Sequence, residues 1–210
     1  MIHVHERLTV PPAFTAAVTT PGAAWLAANP AGTKLPTYWR AGAPHLRAAY
    51  KGICAYFCCY VYPTTGAGST DHFVPKSKAR AVAYTWSNYR FACSRMNSRK
   101  RDASDVLDPF IVPDGWFELY FPTMRVRPGR GLVGADLKAV RASIKRLKLN
   151  SEECRRERAE YWDDYNASLI TGKQLVRRAP MIALEAVRQR LLLPADVGIT
   201  SATIRAHLDS

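Results

Sequence analysis

The pattern of hydrophobic and polar positions changes character along the chain. Up to about residue 45, Pro and Gly recur too often for long regular elements, as in PPAF, TTPGA and ANPAGTKLP. Residues 46 to about 122 alternate β-rich pieces with Gly and Pro turns, and helical spacing begins at about residue 132. We therefore predict an α+β protein with an extended N-terminal arm containing short helical pieces (1–45), a compact centre (46–122) and a C-terminal helical region (123–210).

The compact centre contains four β-rich pieces. They are CAYFCCYVY (54–62), STDHFV (69–74), SNYRFA (87–92) and WFELYFP (116–122). A short helix is expected at CSRMNSRKR (93–101), directly after the third piece. The order strand, long loop, strand, short helix is thus predicted for residues 69–101.

Helical periodicity is clearest in GADLKAVRASIKRLKL (134–149). Leu137, Val140, Ile144 and Leu147 follow one another at spacings of 3, 4 and 3, which makes one apolar face. Ser151 is a plausible N-cap for the next helix, because glutamates fill the first turn after it. Two further helices are predicted at APMIALEAVRQRLLL (179–193) and SATIRAHL (201–208).

Charge directs attention to polyanions. The 210 residues include 30 Lys and Arg against 17 Asp and Glu, a formal net charge of +13. Such a field attracts nucleic acid, although a basic protein without that partner is the competing interpretation. A hydrophobic content of 48% argues against global disorder.

The N-terminus MIHVHERLTVPPAF lacks the residue order of a signal peptide, and no run of about 18 apolar residues occurs. We therefore expect a cytoplasmic protein that does not associate with membranes. The five cysteines are then expected to be reduced, so that burial or metal binding explains them better than disulfides. They are Cys54, Cys58, Cys59, Cys93 and Cys154.

Asp71, His72 and Asn97 have the chemistry of a hydrolytic metal site. A hard cation needs oxygen ligands, which Asp and Asn supply, and His is the natural base for activating a water. Neighbouring residues of a strand point to opposite faces, so Asp71 and His72 need a bulge or a strand end to face one ion.

Three phrases carry a family resemblance: Asp-His-Phe-x-Pro-Lys-Ser from residue 71, Trp-Ser-Asn-Tyr from residue 86 and Cys-x-x-Met-Asn-x-x-Lys from residue 93. Together they resemble the ββα-metal motif of HNH endonucleases, in the variant whose signature positions are Asp-His, Asn and Asn. Over residues 50–120 the wording is also similar to the HNH subunits of Septu-type and retron-linked antiphage systems. The resemblance implies a ββα-metal core within residues 46–122.

This resemblance implies a role for each matching residue. Asp71 and Asn97 correspond to the ligands of one Mg²⁺ or Mn²⁺ ion, His72 to the general base, and Asn88 to the Asn that holds the two strands together and orients the His. The implied function is metal-dependent hydrolysis of DNA, with RNA not excluded, in antiphage defence. Two alternatives stay open: a noncatalytic nucleic-acid-binding module on this scaffold, and an effector subunit released by a partner ATPase or guide complex.

A structural zinc, which many HNH proteins hold with two Cys-x-x-Cys pairs, is not expected. The second pair reads Cys93-Ser-Arg-Met96, and Met is a poor zinc ligand. We expect the cysteines to act as small core hydrophobes instead.

Basic residues are dense around the signature positions, and Lys76, Arg95 and Lys100 are the predicted phosphate contacts, with a solvated surface as the competing interpretation. Tyr84, Trp86 and Tyr89 could stack on bases, but core packing explains them better. In the helical region, basic faces that include Lys145, Arg146, Lys148, Arg155, Arg156 and Arg158 could follow a duplex backbone or dock a partner.

Overall fold

A computed structural model describes the chain at residues 1, 9–32, 34–64 and 68–209. These residues form a mixed α and β structure that includes two small antiparallel sheets, which confirms the α+β prediction at this level. The chain divides into two compact units. One, here called the hairpin unit, contains the described residues of 9–54 and 61–104; the other, the helical unit, contains Met1, residues 55–60 and residues 105–209.

The hairpin unit begins with a continuous helical stretch. Helix α1 (Pro12–Phe14), a π-helical turn (Thr15–Thr19) and α2 (Thr20–Ala28) follow one another without a break. Helix α3 (Trp39–Ala49) comes next. Over residues 12–28 and 39–49 this is more regular structure than the extended arm with short helical pieces predicted for residues 1–45, of which residues 2–8 and 33 lie outside the described residues. Pro12 of PPAF is the first residue of α1, where a missing N–H costs nothing. Pro21 of TTPGA is the second residue of α2, just after the π-helical turn.

Close packing fixes the first helices on the rest of the hairpin unit. The Phe14 ring makes edge contacts with Trp86 at 4.7 Å and with Tyr89 at 5.7 Å between ring centroids. Gly22 lies against the ring of Tyr84, and a Cβ at that position would come within 2.2 Å of Tyr84 Cγ. A glycine is therefore needed at position 22 for α2 to approach this closely.

Strand β1 (Gly68–His72) pairs in antiparallel fashion with β2 (Tyr89–Cys93). Helix α4 (Ser94–Lys100) follows β2 directly and packs against both strands. Two single turns of 3₁₀ helix, Arg80–Val82 and Trp86–Asn88, lie in the connection between the strands. The predicted order of elements over residues 69–101 is confirmed.

The prediction of β structure at residues 54–62 is wrong. Residues 55–57 form a turn, Tyr60 makes only an isolated bridge, and Cys58 has a positive φ of 61° that a strand does not allow. Residues 54–59 are nevertheless all buried. An unbroken apolar run predicts that a segment is buried, but it does not predict a helix or a strand, because it has no periodicity.

The helical unit contains a second hairpin, formed by β3 (Phe117–Tyr120) and β4 (Arg125–Pro128). This hairpin lies on both sides of residue 123, at which the C-terminal helical region was expected to begin. None of the helices in the described ranges is long and apolar enough to cross a membrane. The helices that follow β4 are α5 (Gly134–Arg146), α6 (Glu152–Asn166), α7 (Gly172–Arg178), α8 (Pro180–Gln189) and α9 (Ser201–Asp209).

Of the helices just named, α5, α6, α8 and α9 are the ones that the sequence predicts, and α7 is additional. In α5, the expected apolar face is buried at Val140, and Leu147 is buried at the C-cap. Ser151 occupies the N-cap position of α6, although its side chain makes no capping hydrogen bond. Helix α7 starts with a capping box, in which Thr171 and Gln174 bond to each other's backbone N–H.

Candidate catalytic site

The β1–β2 hairpin and helix α4, with the turn that precedes β2, carry all four signature positions. Asp71 and His72 are the last two residues of β1 and lie opposite Arg90 and Tyr89. The strand pairing continues through both residues without a bulge. Of the two features that could let Asp71 and His72 face one ion, a bulge or a strand end, only the strand end is present. The Asp71 side chain contacts α4, whereas the His72 ring contacts α3 and Tyr89.

The imidazole of His72 is enclosed by aromatic rings. Trp39 and Tyr89 each make an edge contact with it at 5.0 Å between ring centroids. Its Nε2 lies 3.0 Å from the carbonyl oxygen of Ala83, which also accepts a hydrogen bond from the Tyr89 hydroxyl at 2.7 Å. Only 9% of His72 is exposed. Ring orientation is thus fixed on three sides.

This hydrogen bond determines the tautomer of His72. A carbonyl oxygen can only accept, so Nε2 carries the proton and Nδ1 carries the lone pair. Burial lowers the pKa of His72 from 6.5 to about 4, and the nearby charges of Lys76 and Lys100 act in the same direction. The imidazole is therefore neutral at pH 7, in the protonation state that a general base requires.

Lys100 contradicts its expected role as a phosphate contact. Its side chain is fully buried, and Nζ donates to Asp71 Oδ1 at 3.2 Å, to the His72 carbonyl at 3.1 Å and to the Phe73 carbonyl at 3.0 Å. An ammonium group has three protons, and all three have acceptors here. Lys100 therefore joins α4 to the end of β1 and is not placed to meet a phosphate at the surface.

Asn88 connects the two ends of the loop between β1 and β2. Its Oδ1 accepts a hydrogen bond from Val74 N at 2.8 Å, and its Nδ2 donates to the carbonyls of Val74 at 3.0 Å and Val82 at 3.2 Å. The Asn88 carbonyl also accepts from Phe73 N at 2.8 Å. These contacts close the loop just beyond the last pair of the ladder. The role that the HNH resemblance implies for Asn88 stays a prediction.

Asn97 lies on α4 and faces β1. Its Nδ2 donates to Ser69 Oγ at 3.1 Å and to the carbonyl of Thr70 at 3.4 Å, next to Asp71 in the chain. The amide nitrogen is therefore directed to the strand, and Oδ1 is the atom of this side chain that can bind a cation. The Asn97 amide and the Asp71 carboxylate both lie where α4 meets β1.

Lys76 and Arg95 are exposed, unlike Lys100. The Lys76 ammonium lies over the ring of Trp39, 4.4 Å from its centroid. Because Trp39 also touches His72, a short chain of contacts links Lys76 to the candidate base. Arg95 is on the first turn of α4.

Tyr84, Trp86 and Tyr89 are all at least nine-tenths buried. Core packing, the preferred interpretation of these aromatics, is confirmed. They support His72 through the Tyr89 ring and through the backbone at Ala83, which follows one of the 3₁₀ turns.

Sequence reasoning missed Trp39 and the carbonyl of Ala83. Trp39 precedes His72 by 33 positions, in a segment predicted to be an arm, and no local pattern links the two. A backbone carbonyl carries no residue-type signal at all. Only the three-dimensional arrangement identifies these two neighbours of the imidazole.

Cys54 and Cys93, which both belong to the hairpin unit, lie close to each other. Cys93 N donates to Cys54 Sγ at 3.4 Å, and Met96, at the position of the missing fourth zinc ligand, is buried. In the part of the chain that the structure describes, no three His, Cys, Asp or Glu side chains form a metal-binding group. Asparagine, which supplies one of the proposed ligands, is outside that set. The absence of a structural zinc stays a prediction.

Comparison with known proteins gives no family for this chain. No family model matches it, and no curated protein matches it. Any functional conclusion therefore depends on the residues themselves.

Proposed function

We propose that the chain is a divalent-metal-dependent endonuclease of the HNH type that hydrolyses DNA phosphodiester bonds. The observation that carries this proposal is the hydrogen bond from His72 Nε2 to the Ala83 carbonyl. It leaves the lone pair on Nδ1 and keeps the ring in one orientation, which is what activation of a water requires. A strand histidine kept only for packing would need neither feature.

The order of elements gives further support. A strand that ends in Asp-His, a second antiparallel strand directly after Asn88, and a helix that carries Asn97 correspond to the ββα-metal arrangement. Asn88 closes the loop in the way that its proposed positioning role requires. These contacts support the proposed HNH assignment.

The donor set fits a hard divalent cation in kind. Asp71 and Asn97 would hold a single Mg²⁺ or Mn²⁺ through a carboxylate and an amide oxygen. The ion would supply positive charge to the phosphate and the leaving oxygen. Lys100 bonds to one carboxylate oxygen of Asp71, and a carboxylate can accept from more than one direction.

In the proposed reaction, His72 Nδ1 accepts a proton from a water molecule. The water oxygen forms a bond to phosphorus while the bond from phosphorus to the leaving oxygen breaks, and that oxygen takes its proton from solvent. Asn88 and the Ala83 carbonyl keep the imidazole in position. Lys76, close to Trp39, contributes positive charge on the approach to the base.

The decisive experiment compares plasmid cleavage by the parent and His72→Ala in Mg²⁺, Mn²⁺ and EDTA. His72→Ala should lose about 10² to 10⁴ in rate and keep DNA affinity, because a base acts in the transition state. Asn97→Ala should recover part of its activity at high metal concentration. His45→Ala, in α3, is the matched control and should cut like the parent. Equal cleavage by His72→Ala and an active parent would exclude the proposal.

One observation favours a noncatalytic module that binds nucleic acid. The Lys100 ammonium already provides a positive charge beside Asp71, where the proposed ion would bind. If this charge replaces the ion, the parent binds DNA and never cuts it in any metal. The same cleavage series, with a gel shift on each variant, separates the two functions.

The low exposure of His72 favours partner activation of the same chemistry. Trp39 covers one side of the ring, which leaves little of the residue open to solvent. In an effector subunit that a partner ATPase or guide complex activates, the activation would move Trp39 away from the His72 ring. Trp39→Ala should then raise the cleavage rate of the isolated chain, and an unchanged or lower rate argues against the cover.

A further inference from the structure

The basic residues of the helical unit do not all remain available to a ligand. Arg146 forms a two-point ion pair with Asp105, and Arg156 pairs with Glu152. Arg158, although predicted to lie on a basic face, is buried and donates to the carbonyls of Met124 and Leu149. Of the cations named for these basic faces, Arg146 and Arg156 are therefore ion-paired and Arg158 is buried, whereas Lys145 lines a groove.

A groove of about 370 Å³ lies between the β3–β4 hairpin and helix α5. Among the described residues that line it, four are cationic and none is acidic. Strand β4 supplies Arg125 and Arg127, and α5 supplies Arg141 and Lys145, one helical turn apart. The remaining lining residues are Tyr120, Val126, Pro128, Ile144 and Asn150.

Tyr120 gives the groove an aromatic wall. It lies directly opposite Arg125 in the strand pairing and keeps 40% of its surface exposed. The Arg127 guanidinium lies over its ring, 4.7 Å from the centroid, and is also held by Glu118 Oε2 at 3.6 Å. Arg127 is thus held in place by Tyr120 and Glu118, so Arg125, Arg141 and Lys145 are the groove cations offered to a phosphate.

We propose that this groove, here called the Tyr120 groove, binds the backbone of single-stranded nucleic acid and stacks a base on Tyr120. Guanidinium groups match phosphate geometry, and a row of cations beside an exposed aromatic ring is how proteins hold single strands. The carboxylates of an acidic protein would pair with the cations, but they would not stack on the Tyr120 ring. A duplex would satisfy the cations while keeping its bases stacked on one another.

This binding site is independent of the proposed function. The lining residues named above belong to the helical unit, and none of them takes part in the His72 chemistry. Binding can therefore be measured in EDTA, where no metal-dependent cleavage occurs. Failure of the nuclease proposal leaves the result for the Tyr120 groove unaffected.

The test measures fluorescence anisotropy of a labelled mixed-sequence single-stranded DNA over a range of salt concentrations. The double variant Arg141→Ala/Lys145→Ala should bind several-fold more weakly than the parent. Its log–log salt slope should fall in magnitude by about 1.4, or about 0.7 for each phosphate that is no longer neutralised. Lys173→Ala/Arg177→Ala is the matched control, since these two exposed cations have the same spacing on α7. It should bind like the parent.

Tyr120→Leu should weaken single-strand binding by about five- to 150-fold, whereas Tyr120→Phe should retain it. Circular dichroism and thermal unfolding identify any variant that fails to fold. If Tyr120→Leu fails to fold, Tyr120→Phe still tests stacking, because it keeps the ring and should keep the binding. Three results would overturn the proposal: equal losses in the α5 and α7 double variants, a duplex of equal length that binds more tightly than the single strand, and displacement of the oligonucleotide by polyglutamate at matched charge.

Discussion

Lys100 Nζ lies 3.2 Å from Asp71 Oδ1, and both side chains are almost completely excluded from solvent. Two opposite charges with no water around them are stable only as a pair. Because Asp71 is on β1 and Lys100 ends α4, the pair also joins the strand to the helix. Nearby, the carbonyls of His72 and Phe73 complete the set of acceptors for Lys100.

Lys100→Met should therefore lower the free energy of unfolding by about 3 to 5 kcal/mol, because it removes the cation beside a buried carboxylate. Arg95→Met, an exposed change on the same helix, should alter it by less than about 0.5 kcal/mol. Urea unfolding measures both. The double variant Asp71→Asn/Lys100→Met should be more stable than Lys100→Met alone, and simple additivity of the two single changes would contradict the pairing.

Asn88→Ala should lower the free energy of unfolding by about 2 to 4 kcal/mol. The substitution removes three side-chain hydrogen bonds, so that Val74 N and the carbonyls of Val74 and Val82 lose the partners that Asn88 provides. Asn166→Ala, at an exposed position in α6, is the control. An Asn88→Ala protein as stable as the control would mean that the loop is held by other contacts.

Much of this arrangement could be predicted from the sequence because the signals are local. The order of β1, a long loop, β2 and a helix bearing Asn97 follows from short-range pattern and spacing. The additional helix α7 also begins at a local signal, the capping box formed by a Thr and a Gln three positions later. Local chemistry of this kind needs no knowledge of the tertiary structure.

The errors arose where long-range packing decides the outcome. Lys100 is surrounded by basic residues in sequence, so it resembled a surface charge, yet β1 folds back to supply oxygens to it. Trp39 reaches His72 only because α3 packs on the hairpin. Within the apolar run of residues 54–62, residues 54–59 are buried without forming a strand, since burial alone does not select a strand.

The pKa of His72 makes stability depend on pH. Its value is about 4 in the folded state and 6.5 as the ordinary value, so the unfolded chain binds the proton more readily. This contribution is complete above pH 6.5 and is lost as the pH falls from 6.5 to 4, by about 3 kcal/mol in all. In urea unfolding at about pH 7.5 and about pH 5, the parent should lose about 2 kcal/mol more than His72→Gln between the two values. Parallel losses in the two proteins would contradict burial of the neutral ring.

Gly22→Ala should separate α2 from the loop that carries the Ala83 carbonyl. The new Cβ would meet the Tyr84 ring at 2.2 Å, and relief of that overlap should cost about 1 to 3 kcal/mol of stability. Gly198→Ala is the control, because a Cβ there meets no described atom within 4 Å. Thermal unfolding of the two variants compares them directly, and a Gly22→Ala protein that melts with the control would contradict this packing.

The buried ammonium of Lys100 is part of the polypeptide, whereas a metal ion has to be collected from the surroundings. Contacts between α4 and the end of β1 can therefore form as the chain folds, however scarce divalent cations are. Under the proposed function, the supply of the metal ion would determine when the enzyme is active, but it would not determine whether the protein folds. A cell could accumulate the folded protein during ion shortage and have it ready to act as soon as the ion returns.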